Sequence, residues 1–103
     1  MKKNTDSQLT EQFFQAGRNF LGDQMPIMCG AMTWISDPRL VAAVSNSGAF
    51  ASLAAGNSPI EPLCEQIEET RRLTSSPFAV NLVTVAPAYH EQLNAVCRME
   101  LPY

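Results

Sequence analysis

Charge is scarce in this 103-residue chain, at 17% of residues, and none falls between Gln24 and Asp37. The formal net charge is −3, from 7 Lys and Arg against 10 Asp and Glu, which leaves no basic footprint for nucleic acid. The only positive cluster worth noting, Arg71-Arg72, sits among Glu65, Glu68 and Glu69. There is no CxxC and no metal-ligand spacing among the three cysteines, Cys29, Cys64 and Cys97, so they read as reduced thiols of a cytoplasmic protein. No Walker A, GxGxxG or GxSxG sequence occurs, so triphosphate, dinucleotide and serine-hydrolase chemistries lack their motifs. No run reaches the roughly 18 apolar residues of a membrane helix. Lys2 and Lys3 are followed by no apolar stretch of a secretory signal. The single histidine, His90, follows Tyr89 in a polar helical segment and reads as a surface residue.

What the chain does have is core-forming material, with 46% hydrophobic residues. That suffices for one small domain spanning residues 1–103. Its most informative stretch is Pro26-Ile27-Met28-Cys29-Gly30-Ala31-Met32, followed by Thr33-Trp34. The run is short and apolar, and reads as a strand buried on both faces over 26–32. Gly30 and Ala31 near its end mark a place where a ligand or another backbone comes close.

In chain order, Ser7 to Ala16 reads as a short helix with Leu9, Phe13 and Phe14 on one side and Gly17 as its stop. Residues 1–6 read as frayed and Asn19 to Gln24 as a connector. After the first strand, Asp37 before Pro38 is a helix start, and Gly48 is the left-handed terminator after Asn46 and Ser47. A second buried strand runs from Ala49 to Ala55 and closes at Gly56. Ser58 and Glu61 are spaced as a capping box around Pro59. The helix that follows places Ile60, Leu63, Cys64 and Ile67 on one face and pairs Glu68 with Arg72. Phe78 to Val85 forms a third strand, apolar except for Asn81 and Thr84. A weaker helix covers Ala88 to Cys97, and Leu101-Pro102-Tyr103 approaches a fourth strand. Buried strands alternating with helices predict an α/β fold with a parallel sheet of right-handed βα units.

In such sheets ligands bind beyond the carboxyl ends of the strands. Gly30 to Trp34, Ala54 to Asn57 and Asn81 to Thr84 are therefore the candidate site segments. Gly30, Ala31, Ala54, Ala55 and Gly56 would let a flat ligand lie against the backbone. Asn81, an amide inside an apolar strand, needs a partner, because burying it unpaired costs roughly 1–3 kcal/mol. That partner is either neighbouring backbone or a ligand. Trp34 is either a stacking surface or a lid over the core.

From Pro26 to Val85 the chain resembles the N-terminal part of the nitronate monooxygenase family, formerly 2-nitropropane dioxygenases, which includes the FMN-dependent enoyl-acyl-carrier-protein reductases. The resemblance is carried by Pro26 to Met32 with Trp34, by Leu40-Val41-Ala42-Ala43-Val44-Ser45-Asn46-Ser47-Gly48, by Ala54-Ala55-Gly56-Asn57, by Ile67 to Thr74, and by Pro77-Phe78-Ala79-Val80-Asn81-Leu82. It implies a TIM (β/α)8 barrel that binds FMN at the carboxyl ends of its strands. The backbone of Gly30, Ala31 and Met32 would lie along the flavin, with Gly56 close by and Asn81 hydrogen-bonded to it. The implied substrate is a small molecule, either an alkyl nitronate oxidised with O2 or an enoyl thioester reduced with NAD(P)H. Cys29 stands where the family commonly has Gln, and Ala31 and Ala49 where a second Gly is common. A barrel of this kind takes about 250 residues, so three βα units read as a truncated form. The family's catalytic histidine is expected beyond Tyr103, and His90 does not match its position. The isolated chain is then expected to be inactive, to lose FMN and to self-associate into homo-oligomers or aggregates. A different class, a small non-catalytic α/β binding module complete in itself, accounts for the same length.

Overall fold

The computed structural model describes residues 2–22 and 25–101. Its elements are α1 (Lys2–Phe20), β1 (Met28–Cys29), α2 (Pro38–Asn46), β2 (Phe50–Gly56), α3 (Ile60–Leu73), β3 (Ala79–Leu82) and α4 (Tyr89–Arg98). The three strands form one parallel sheet in the order β1-β2-β3. The expected alternation of strand and helix is therefore present. Among the described residues, no helix is long and apolar enough to cross a membrane.

β2 is central and buried along nearly all its length. Its Ala51, Leu53 and Ala55 pack against Val41 of α2, Leu63 and Ile67 of α3, and Phe78. Register and the two-residue side-chain period then assign the faces. Cys29 pairs with Ala51, and Val80 with Leu53, so all four point to the helices. Met28 pairs with Phe50, Ala79 with Ser52, and Asn81 with Ala54, so these line the opposite face, where Phe50 and Ser52 are buried and Met28 and Asn81 are exposed. Between Ala54 and Gly56 the register slips by one residue, a bulge at the carboxyl end of β2.

Several local signals act as expected. Asp37 Oδ1 accepts from Leu40 N at 2.9 Å, Pro38 opens α2, and Gly48 has φ +92°. Others act differently. α1 starts at Lys2 and continues through Gly17 to Phe20. An interior glycine costs a helix only about 1 kcal/mol. Here it permits a close approach, because a Cβ at Gly17 would lie 2.8 Å from Pro26 Cβ. The first strand is two residues long and its Met28 is 56% exposed, because β1 has a neighbour on one edge only. β3 is likewise shorter than 78–85. The capping box at Ser58 is not formed: the residue before α3 is Pro59, with no side-chain cap. The Arg residues of α3 pair three positions back, Arg71 with Glu68 and Arg72 with Glu69, in place of Glu68 with Arg72. Asp23 and Gln24 of the expected connector, and Pro102 and Tyr103 of the expected fourth strand, lie outside the described residues; Leu101 packs at the margin of the core.

The turn after β2 is held from α4. Gln92, fully buried, donates from Nε2 to the carbonyls of Ser58 (2.9 Å) and Gly56 (3.3 Å). Asn57 Oδ1 accepts from Ala88 N at 3.3 Å. Gly56 itself has φ +52°, and a Cβ there would lie 3.3 Å from Thr33 Cγ2. Opposite this end, the Asn46 amide donates to Leu73 O at 3.1 Å and accepts from Thr74 Oγ1 at 2.6 Å, tying the C-termini of α2 and α3 together.

Two stability measurements check this description. Leu53→Ala should lower unfolding free energy in urea by about 3 kcal/mol, in the range of buried Leu truncations. Gly56→Ala should cost about 1–2 kcal/mol, since an alanine in the left-handed region is strained whatever the space around it.

Candidate functional site

The site is built from the segments that leave the strands at their carboxyl ends. The first is the turn after β1. Met32 O accepts from Ile35 N (3.0 Å) and Ser36 N (2.8 Å), and Met32 N donates to Ser36 Oγ at 2.8 Å. Ser36 is buried, and its carbonyl accepts from Ala54 N of β2 at 3.3 Å. Ser36 thus pins the turn to the central strand and engages both backbone groups of Met32 internally. Sequence reasoning gave Ser36 no role, because a serine four residues beyond an apolar run carries no pattern of its own.

Gly30 follows β1 directly and is exposed, and a Cβ there would meet nothing within 4 Å. Ala31 beside it is half-buried, and Met32 is exposed. Across the sheet, Asn81 is exposed on the face away from the helices, at the level of Ala54. Its side chain makes no hydrogen bond among the described residues, so the neighbouring backbone does not satisfy it. Continuing the alternation one residue past Cys29, Gly30 lies on the same face as Ala54 and Asn81, opposite the helices. Two positions with little side chain and one free amide on an open face form a floor that fits a flat, hydrogen-bonding ligand. On these grounds the residues present fit a flavin.

Gly56 and Ala54 of the floor line an adjoining cavity of about 440 Å³, together with Thr33, Trp34, Ser36, Asp37, Ser58 and Gln66, between the turn after β1 and the start of α3. Gly30, Ala31, Met32 and Asn81 are absent from its walls. The five expected cofactor residues are therefore divided between an open floor and this cavity. Trp34 stands at the cavity mouth, 98% exposed, so it is no lid over the core. Its φ is +71°, a left-handed conformation that costs an L-residue about 1–2 kcal/mol. The hydrogen bonds around Met32 and Ser36 hold the turn that imposes this geometry.

The remaining candidates are quiet. His90 is exposed on α4, its ring edge-on to Tyr89 at 5.2 Å. All three cysteines are free; Cys29 and Cys64 are half-buried and Cys97 is exposed. No group of acidic, His and Cys side chains able to hold a metal ion occurs among the described residues.

Comparison with known proteins is consistent with this geometry. The family profile described as nitronate monooxygenase matches residues 16–102. The nitronate monooxygenase of Pseudomonas aeruginosa is 45% identical over 67 residues, covering 65% of this chain and 19% of its own. That of Paraburkholderia phytofirmans is 40% identical over 68 residues, covering 66% and 19%. A Rhodococcus jostii protein, (3aS,4S,5R,7aS)-5-hydroxy-7a-methyl-1-oxo-octahydro-1H-indene-4-carboxyl-CoA dehydrogenase, is 37% identical over 62 residues, covering 60% and 18%. Among solved structures, FabK from Thermotoga maritima superposes with a TM-score of 0.79 at 30% identity, over 82% of this chain and 27% of that one. The chain thus spans about a fifth of the length of the curated relatives it matches. Its three parallel βα units are those of a (β/α)8 barrel, with the sheet face opposite the helices corresponding to the barrel interior. The chain belongs to the nitronate monooxygenase family, a family of oxidoreductases.

Proposed function

We propose that residues 1–103 are the N-terminal portion of a single FMN-binding barrel domain, in a cytoplasmic enzyme that oxidises small alkyl nitronates with O2. The observation that carries this reading is the open floor at the carboxyl ends of the strands. Gly30 and Ala54 let a planar ring approach the sheet, and the free Asn81 amide offers it a hydrogen bond. Bound there, the flavin would supply a two-electron acceptor that returns its electrons to oxygen. This chain's part is to place the ring. Gly30 leaves room, Asn81 orients it, and Ser36 fixes the turn that ends the floor. His90, exposed on α4, is not part of this floor, and the proton-abstracting base is expected from the rest of the barrel.

A second reading, reduction of an enoyl thioester with NAD(P)H, is supported by two comparisons. The Rhodococcus relative carries a carboxyl-CoA group in its name, and the structural likeness is to FabK. A version of the protein carrying a whole barrel separates the two. Oxygen uptake with a nitronate supports the first. NAD(P)H oxidation dependent on an enoyl thioester supports the second and overturns the first.

The 103-residue chain alone should lose added FMN on gel filtration and elute as oligomers, because both sheet edges and the floor are open to solvent. A yellow monomer with a flavin absorbance band would overturn that expectation. In the whole barrel, Asn81→Ala should weaken FMN binding about tenfold, the loss of roughly one good hydrogen bond. Titration of the apoprotein followed by flavin fluorescence reads this directly, and an unchanged affinity would remove Asn81 from the site.

A further inference from the structure

The first helix, α1, makes no extended contact with another helix or strand. It lies against residues 25–27 along one side. There Gly17 meets Pro26, and Glu11, Phe14 and Arg18 border a groove completed by Met25, Pro26 and Ile27. The opposite side carries Leu9, Phe13, Ala16 and Phe20, spaced four, three and four residues apart. That is the a/d spacing of a coiled-coil seam, and it sets all four on one stripe. Leu9 is 53% exposed, Phe13 72% and Phe20 68%, and Ala16 is exposed as well. A lone helix of this length with its apolar stripe in water is marginally stable, and an apolar patch of this kind marks a contact surface. Leu9 and Phe13 precede residue 16, where the family profile begins to match, so half of the seam lies outside the matched region.

We propose that α1 is a dimerisation element, in which the seams of two copies of this chain pack on each other as an antiparallel helix pair. Three observations select a second copy as the occupant. The first is size. In an antiparallel pair, a positions face d positions, so Leu9 meets the partner's Phe20 and Phe13 meets the partner's Ala16. Each phenylalanine then faces a smaller side chain, and the two-fold axis repeats both pairs to fill four layers. A parallel pair would instead set ring on ring and Ala16 on itself, leaving uneven layers. The second is charge. Thr10, Gln12, Gly17 and Asn19, which flank the seam, are uncharged, so like charges do not meet when the seam faces its own copy. The charged Glu11 and Arg18 pair with each other at 2.5 Å on the side towards residues 25–27. The third is area. At roughly 150–250 Å² for each buried aromatic side chain, the contact covers about 1,000 Å² in total, the size of a weak, reversible interface. Because the rest of each chain follows the end of α1, an antiparallel pair keeps the two sheets at opposite ends. The contact uses neither the sheet edges nor the floor, and it holds whether or not a flavin binds.

The test places p-benzoylphenylalanine at Leu9 of the full chain, mixes it with an isotopically labelled copy and maps the photo-cross-links by mass spectrometry. Cross-links from position 9 to residues 16–21 of the labelled copy are expected. Within one copy, position 20 lies about 16 Å along the helix from position 9, beyond the reach of the probe. Cross-links onto residues 6–13 of the other copy would mean a parallel pair. Cross-links onto 27–29 or 79–82 would mean association through the sheet edges. Either result, or no cross-link between copies, overturns the proposal. Phe13→Asp should lower the yield of the expected cross-link about tenfold, as for a central interface residue. Val85→Asp, which alters an 89% exposed apolar residue far from the seam in sequence, should leave the yield unchanged. Equal yields with and without Phe13→Asp, or an equal loss in both variants, would overturn it too. Urea unfolding of each variant shows that the core around β2 is intact, and the cross-link map itself is read without either substitution.

Discussion

The sheet and the helices α2 and α3 are placed by the burial of β2. It is the one strand among the described residues paired on both edges, and its Ala51, Leu53 and Ala55 are the surface against which α2 and α3 lie. Small residues on that strand let the helices approach closely, and Leu53 fills the space between them. Because a parallel strand alternates faces, the same pairing that buries these three residues turns Ser52 and Ala54 to the opposite side, with Met28, Ala79 and Asn81 beside them. The candidate floor is the other side of the core strand, and no change in register could keep one without the other.

The two ends of the helical layer are built differently. At the amino ends of the strands, one amide, Asn46, joins the ends of two helices through two short hydrogen bonds. At the carboxyl ends the chain is held by side chains that reach across to loop backbone: Ser36 to Met32, Asn57 to Ala88, and Gln92 to Gly56 and Ser58. A bulge in β2 and two left-handed residues, Trp34 and Gly56, lie in this region. Left-handed residues also occur at the opposite end, where Gly48 and Glu100 follow α2 and α4, so irregular backbone is not confined to the end where (β/α)8 barrels keep their sites.

Much of this was legible from the residues. The order of strands and helices, the cap at Asp37, the terminator at Gly48 and the closing Gly56 follow from local chemistry, and the structure contains all of them. The candidate floor was legible as well, since Gly30 and Asn81 are anomalies in apolar runs. Less legible was anything decided by a distant partner. Gly17 looks like a helix stop unless one knows that Pro26 packs on it. Gln92 looks like a surface residue of a polar helix, yet it is fully buried because the carbonyls of a turn more than thirty residues earlier need a donor. Ser58 looks like a cap, but its carbonyl is what the structure uses. The edge strands came out short because a strand's length depends on its neighbours, and β1 and β3 each have only one here.

The register also bears on how the chain folds. Each strand pairs only with the next one in sequence, Met28 with Phe50 and Ser52 with Ala79, so the separations are 22 and 27 residues. Every crossover is closed by a short loop search, which keeps the entropy of bringing partners together low. A growing polypeptide can therefore assemble this core in strict order from its amino end, each βα unit docking as soon as it is complete. The central strand would gain its second neighbour when residue 82 has been added, and the half-made sheet before that point is the state most in need of protection from its own exposed edge.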